Sequence, residues 1–327
     1  MRLFSLLAVS TLIGTSSLPL RADVTLEEKQ DRIRVEIDGK LFTEYRFSGA
    51  PHVYFYPLLG PSGERMTRAW PMEDLPGEEH DHPHHRSLWF AHGSVNGIDF
   101  WAEPTSFGNK PPQHPLGQIV HRKFLELRGG VKEGVISSLN HWVGPEGEML
   151  ESIQTLRVYD GADQERLFDF EITLKPTGKE VVFGDTKEGT MALRINESMR
   201  IQQPRKQPGD GHAVNAHNQR DSEVWGKRSP WVDYSGPVDG KVMGIAIFEH
   251  PKNPRHPTRW HAREYGLFAA NPFCEHEMDK ALPAGSGSLK IPAGQSVTFR
   301  YRFLVHSGDA AAAQIAQRYA EYAAGAR

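Results

Sequence analysis

The chain alternates apolar and polar positions over much of its length. In RIRVEIDGKLFTEYRF (32–47), Ile33, Val35 and Ile37 fall two apart, and Leu41, Thr43, Tyr45 and Phe47 resume the pattern after Asp38-Gly39. A period of two lines one face of a strand. Asp-Gly between two such runs signals a hairpin, because both turn positions favour positive φ. The stretch from Gly117 to Asp160 repeats this grammar in three segments, separated by Gly129-Gly130 and by Pro145-Glu146-Gly147. RLFDFEITLKP, KVMGIAIFEHP and SVTFRYRFLVH predict three further strands. One segment breaks the pattern: GDAAAAQIAQRYAEYAA is rich in alanine, offers Asp309 as an N-cap and places Ile315, Tyr319 and Tyr322 on one face. It predicts a helix at about 309–324, packed on the sheet edge. Together these features predict an all-β fold, a large antiparallel two-sheet β-sandwich with one C-terminal helix. The Pro/Gly/His-rich stretches 60–85, 104–117 and 203–221 read as long loops, where function often lives.

The N-terminus changes the picture of where this sandwich works. MRLFSLLAVSTLIGTSSLPLRAD has a basic start at Arg2, an apolar run from Leu3 to Gly14 and a small residue, Ala22, before Asp23. It reads as a signal peptide over 1–22, leaving 23–327 as a single periplasmic or secreted β-sandwich domain. No later stretch reaches the roughly 20 apolar residues of a membrane-spanning helix. Removing 1–22 takes away two arginines and no acid, moving the formal charge from -3 to -5, with 36 basic against 41 acidic side chains. That balance offers no footprint for nucleic acid. Cys274 is the only cysteine, so an intramolecular disulfide is excluded.

Histidine supplies the candidate chemistry. Five of the sixteen histidines lie in GEEHDHPHHRSLWFAHGS (77–94). If 82–92 is extended, His82, His84, Arg86 and His92 share one side and His85 the other. The His-x-His pair of His82 and His84 could then hold a divalent metal, with a carboxylate completing the set. A solvated histidine-rich loop is the alternative. A second group, FEHPKNPRHPTRWHAREYGLFAANPF (248–273), carries His250, Asn253, Trp260, His261, Arg263, Tyr265 and Asn271, residues suited to a ligand cleft. On a strand, Arg263 and His261 would not share a face, and Trp260 and Tyr265 are equally at home in a core. A third group, GDTKEGTMALRI, offers Asp185 and Glu188 as carboxylates to assist a histidine. VNGIDFWAE places Asp99, Trp101 and Glu103 two apart, with Asp99 and Glu103 as partners for histidine nitrogens. Phosphate loops, serine-nucleophile elbows and zinc-protease helices are absent from the sequence.

DHPHHRSLWFAHGSVNGIDFW, GDTKEGTMALRI, WGKRSPWVDY and HPTRWHAREYGLFAANPF resemble a family of exported bacterial proteins labelled "methane oxygenase PmoA", also treated as a domain of unknown function. The resemblance runs over most of the chain after the signal. The label conflicts with the residues, since the oxygenase subunit of that name is built of membrane-spanning helices. In architecture the pattern is similar to the galactose-mutarotase type of supersandwich, which implies a sugar held in a cleft; fold alone does not fix function. The expectation is an exported carbohydrate-active enzyme acting on a sugar or glycoside by acid–base chemistry. Its candidate catalytic residues are His84, His85, His92, Asp185, Glu188, His250 and His261. Arg86, Trp101, Asn253, Trp260, Arg263, Tyr265 and Asn271 would bind substrate, and His82 and His84 would ligate a divalent metal if one is bound. The alternatives are a non-catalytic saccharide-binding module and a metal-dependent redox protein.

Overall fold

A computed structural model describes residues 23–161 and 164–325; the segment 1–22, expected to be a signal peptide, lies outside these. Two eight-stranded antiparallel sheets carry the fold. The first runs Val24–Glu28, Arg32–Ile37, Lys40–Arg46, Tyr54–Leu58, Leu88–His92, Gly189–Arg194, Leu267–Asn271, Arg259–Ala262. The second runs His212–Asn215, Trp231–Val238, Lys241–Glu249, Val297–Ser307, Glu165–Pro176, Gly147–Tyr159, Glu133–Gly144, Gln118–Arg128. The Asp38-Gly39 hairpin forms as its chemistry requires, with φ of 53° and 69° at the two turn residues and Ile37 opposite Lys40. The inward residues of both sheets share one apolar core. Phe42 meets Phe168, Phe55 meets Phe170 and Tyr234 meets Phe268 across the layer, at ring separations of 5.5, 6.4 and 5.8 Å.

Two expectations need correction. The stretch 203–221 is not all loop: His212–Asn215 pairs with Trp231–Val238 as the edge strand of the second sheet. The helix occupies Ile315–Ala323, and the residues before it form turns in which Asp309 Oδ1 accepts the Ala312 N–H at 2.8 Å. It packs on a sheet face and not on an edge. Ile315 and Tyr322 lie against Trp231, Ala246, Phe248 and Leu304, side chains of three neighbouring strands. No helix among the described residues is long and apolar enough to cross a membrane.

Strand alternation positions the site. In Leu88–His92, Phe90 points inward, 6.4 Å from Phe170 of the second sheet, so Trp89 and Ala91 face outward and His92 inward. Ala192 and Ala269 continue that outer surface on the next two strands, and His261 stands opposite Ala269. Small side chains there leave room for loops to fold over the sheet.

Candidate functional site

Residues 81–87 do not extend the strand that begins at Leu88. His82 (φ 41°) and Ser87 (φ 59°) adopt the left-handed region, and the His85 N–H donates to the His82 carbonyl at 2.9 Å. This closes a turn with Pro83 in its second position, where proline's fixed φ is favoured. The turn overrides the expected alternation. His82, His84 and His85 meet, with ring centroids between 4.5 and 5.7 Å apart. Arg86 turns away and grips Glu103 through three hydrogen bonds of 2.9 to 3.3 Å, so it does not line the site.

A cleft of about 780 Å³ opens around this turn, over the outer face of the first sheet. Four stretches distant in sequence converge on it: His82, His84 and His85; Asp99 and Trp101; Asp185 to Glu188; and His261, Arg263 and Tyr265. The last group corrects the expectation for Arg263. The strand ends at Ala262, and a turn closed by the Gly266 N–H on the Arg263 carbonyl (3.0 Å) brings Arg263 and Tyr265 to the side of His261.

Hydrogen bonds set the protonation of the cleft imidazoles. The His261 Nδ1–H donates to the Lys187 carbonyl at 2.7 Å, so in the neutral ring Nε2 carries the lone pair. His85 has the opposite tautomer. Arg194 can only donate, and its guanidinium lies 3.3 Å from His85 Nδ1, which therefore accepts and leaves the proton on Nε2. Neither Nε2 is sealed from the cleft or bound to a protein partner among the described residues. Burial, helped by the Arg263 charge, pushes His261 down to about 3. Burial and the neighbouring His84 and Arg194 push His85 well below the usual histidine value. His84, whose Nδ1 lies 2.8 Å from the Ser106 hydroxyl, is pushed down to about 3 by burial and by the His82 and His52 rings. His82 is the exposed member; its Nδ1–H donates to Asp81 at 2.7 Å and its ring stacks on Tyr265 at 5.1 Å. Burial opposes ionisation of Asp81, but the His82 hydrogen bond and the Arg194 and Arg68 guanidinium groups hold its carboxyl far below the usual range.

Several expected residues lie elsewhere. His92 is buried in the sandwich, its Nε2–H donating to the Gly184 carbonyl at 2.8 Å and its ring against Phe273. Trp260 is core, with its indole N–H on the Ser229 carbonyl. Asn271 is buried and donates to the Thr186 and Lys187 carbonyls, so it shapes the 185–188 turn from behind. His250 lies in a separate depression with Tyr322 and Arg300, and Asn253 is tied to the Arg300 backbone beside it. Asp185 lines the cleft, yet its oxygens accept N–H groups of Glu275, His276 and Gly287, which outweigh burial and keep it ionised. Asp99 and Glu103 do not reach a histidine nitrogen: Asp99 takes the Trp101 and Ala102 N–H groups, and Glu103 pairs with Arg86. Ser106 is the partner that was missed.

Sequence reasoning also missed Arg194 and His114. His114 lies in the loop 104–117, flagged for length but not for this residue, and it lines the cleft. Arg194 is fully buried on an alternating strand, where an arginine reads as a solvated position. For the metal, no group of three or more His, Cys, Asp or Glu among the described residues is arranged to hold an ion. In the His82–His84 pair each Nδ1 is engaged, by Asp81 or by Ser106, which leaves the Nε2 atoms as the nitrogens that could meet a ligand.

The chain belongs to a family of unknown function, DUF6807, whose model matches residues 32–320. That description names no activity, so the oxygenase label gains nothing from it. No curated protein matches the chain. Among solved structures it is similar to the alpha-galactosidase from Lactobacillus brevis, with 8% identity and a TM-score of 0.42, covering 88% of this chain and 39% of that one. The chain thus spans about two fifths of that enzyme's length, and the likeness is recorded as such without chemical weight.

Proposed function

We propose that this member of the family is an exported carbohydrate-active enzyme that acts on a sugar or glycoside by acid–base chemistry in the cleft. One observation carries the reading: two neutral imidazoles with opposite tautomers face the same space. His261 offers a lone pair at Nε2 and His85 offers an N–H at Nε2. A substrate proton would pass to His261, while His85 would donate to the oxygen on which charge develops. The depressed proton affinity of both rings keeps them in these forms at neutral pH. Trp101 and Tyr265 give the cleft wall its aromatic, apolar component. Glu188, paired with Lys187 at 3.2 Å, lines the same cleft.

The test is proton NMR of the purified protein with a panel of monosaccharides, disaccharides, aryl glycosides and sugar acids, followed for new or exchanging resonances. Conversion of at least one sugar, slowed about 100-fold or more in His261→Gln with the melting temperature lowered by no more than about 4 °C, is expected. Binding that survives this substitution with no conversion in the native protein would favour a saccharide-binding module. If no sugar binds or changes, the reading is wrong.

A further inference from the structure

This inference rests on the reading of the cleft as a sugar site and names the kind of sugar. We propose that the ligand is an acidic sugar, such as a uronic acid, and that Arg263 receives its carboxylate.

Each acid around the cleft already has its partners. Asp185 takes three backbone N–H groups at 2.8 to 3.1 Å, and Asp99 takes two at 2.8 and 3.0 Å. Glu188 pairs with Lys187 at 3.2 Å, and Glu277 with Lys280 at 2.9 Å. The buried arginines nearby are matched as well: Arg68 and Arg194 share Asp81, and Arg200 holds Glu79 and Glu197. Arg263 differs. Its guanidinium lines the cleft with no acid and no hydrogen-bond acceptor among the described residues. It lies instead between two rings, 5.7 Å from the Trp225 centroid and 5.6 Å from that of Tyr265. Ring faces hold a guanidinium plane in place while leaving its N–H fork for a ligand.

A planar carboxylate fits that fork through two parallel hydrogen bonds and carries the single charge that one arginine can match. A phosphate dianion would call for a second cation, and Lys187 is already committed to Glu188. The placement also links binding to chemistry. The Arg263 charge helps hold the proton affinity of His261 down. A bound carboxylate would offset that charge, so an acidic sugar strengthens the base it meets.

The experiment titrates galacturonate and glucuronate against galactose, glucose and galactose 6-sulfate by calorimetry, in the native protein, Arg263→Gln and Arg263→Lys. The uronates should bind at least about 10-fold more tightly than their neutral parents. That ratio should fall to about 1 in Arg263→Gln and be only partly restored in Arg263→Lys, which keeps the charge but lacks the fork. The NMR titration midpoint of the His261 ring should rise on saturation with uronate in the native protein and stay put in Arg263→Gln. Equal binding of acid and parent, a preference that survives Arg263→Gln, or a sulfate ester preferred over the uronate would overturn the proposal and leave the sugar reading standing. If no saccharide of either kind binds, both fall. Should Arg263→Gln not fold, the native ratio and the sulfate arm still decide.

Discussion

Two histidines on opposite faces of the sandwich show how a partner decides what an imidazole can do. In the cleft, His261 donates to a backbone carbonyl, stays neutral and keeps Nε2 open. On the face covered by the C-terminal helix, His306 meets Asp233 at 2.7 Å, with both side chains buried. There burial disfavours the charged ring, but the Asp233 hydrogen bond and charge outweigh it, and His306 is raised. Asp233 is raised too, by burial that the His306 contact only partly offsets. Gly244 confirms how closely the pair is enclosed, since a Cβ there would lie 2.3 Å from the His306 ring. His306 has a partner on each nitrogen, Asp233 and the Ser307 carbonyl at 3.3 Å, whereas His261 and His85 each keep one nitrogen for a ligand.

The largest effect expected from this contrast is on stability. Asp233→Ala leaves His306 buried without its anion and should cost about 3–5 kcal/mol, read from urea denaturation midpoints. His261→Gln removes one hydrogen bond at a cleft wall and should cost about 1 kcal/mol. Equal losses would erase the distinction between the two sites.

The next effect is the sign of the pH dependence. The cleft rings have proton affinities lowered in the fold, so the folded protein binds fewer protons than the unfolded chain below the ordinary value of 6.5. Their contribution is complete above 6.5 and is lost as pH falls toward 3, at up to about 1.4 kcal/mol per pH unit for each imidazole. His306 has the opposite sign. Its contribution is complete below 6.5 and is lost as pH rises through its raised value. Stability measured from pH 4 to 9 should therefore fall less steeply on the acid side in the His84→Asn/His261→Gln double variant, where His52, His85 and His92 still contribute, and flatten on the alkaline side in His306→Gln. An acid limb unchanged in the double variant would mean that the cleft rings are not held neutral by the fold.

Much of the fold was legible because alternation is local. The hairpin at Asp38-Gly39, the three long strands between 118 and 159 and the late helix all follow from spacing and turn chemistry. The site was legible only as composition. The stretches around His82, Asp185 and His261 do meet, but the directions of their side chains depend on features that spacing does not carry. The turn at Pro83 brings His85 to the side of His82 and His84, and the strand end at Ala262 swings Arg263 into the cleft. Charged residues buried on strands, Arg194 and Asp233 among them, look like solvent-facing positions until the covering loops and helix are placed. The short strand His212–Asn215 escaped notice because glycine and proline before it read as loop.

The smallest expected effect concerns His250, which the sequence grouped with His261. The two fall in different places: His250 lines a depression of about 320 Å³ that shares no residue with the cleft. Its Nδ1 accepts the Lys252 N–H at 3.0 Å and its ring meets Tyr322 edge-on at 5.5 Å. His250→Ala should shift stability by no more than about 0.5–1 kcal/mol, from one partly solvated hydrogen bond and one ring contact. Sugar binding and conversion should remain those of the native protein. A loss of conversion as large as that of His261→Gln would show that a histidine outside the cleft takes part in the chemistry, and the division into a working and a structural face would have to be redrawn.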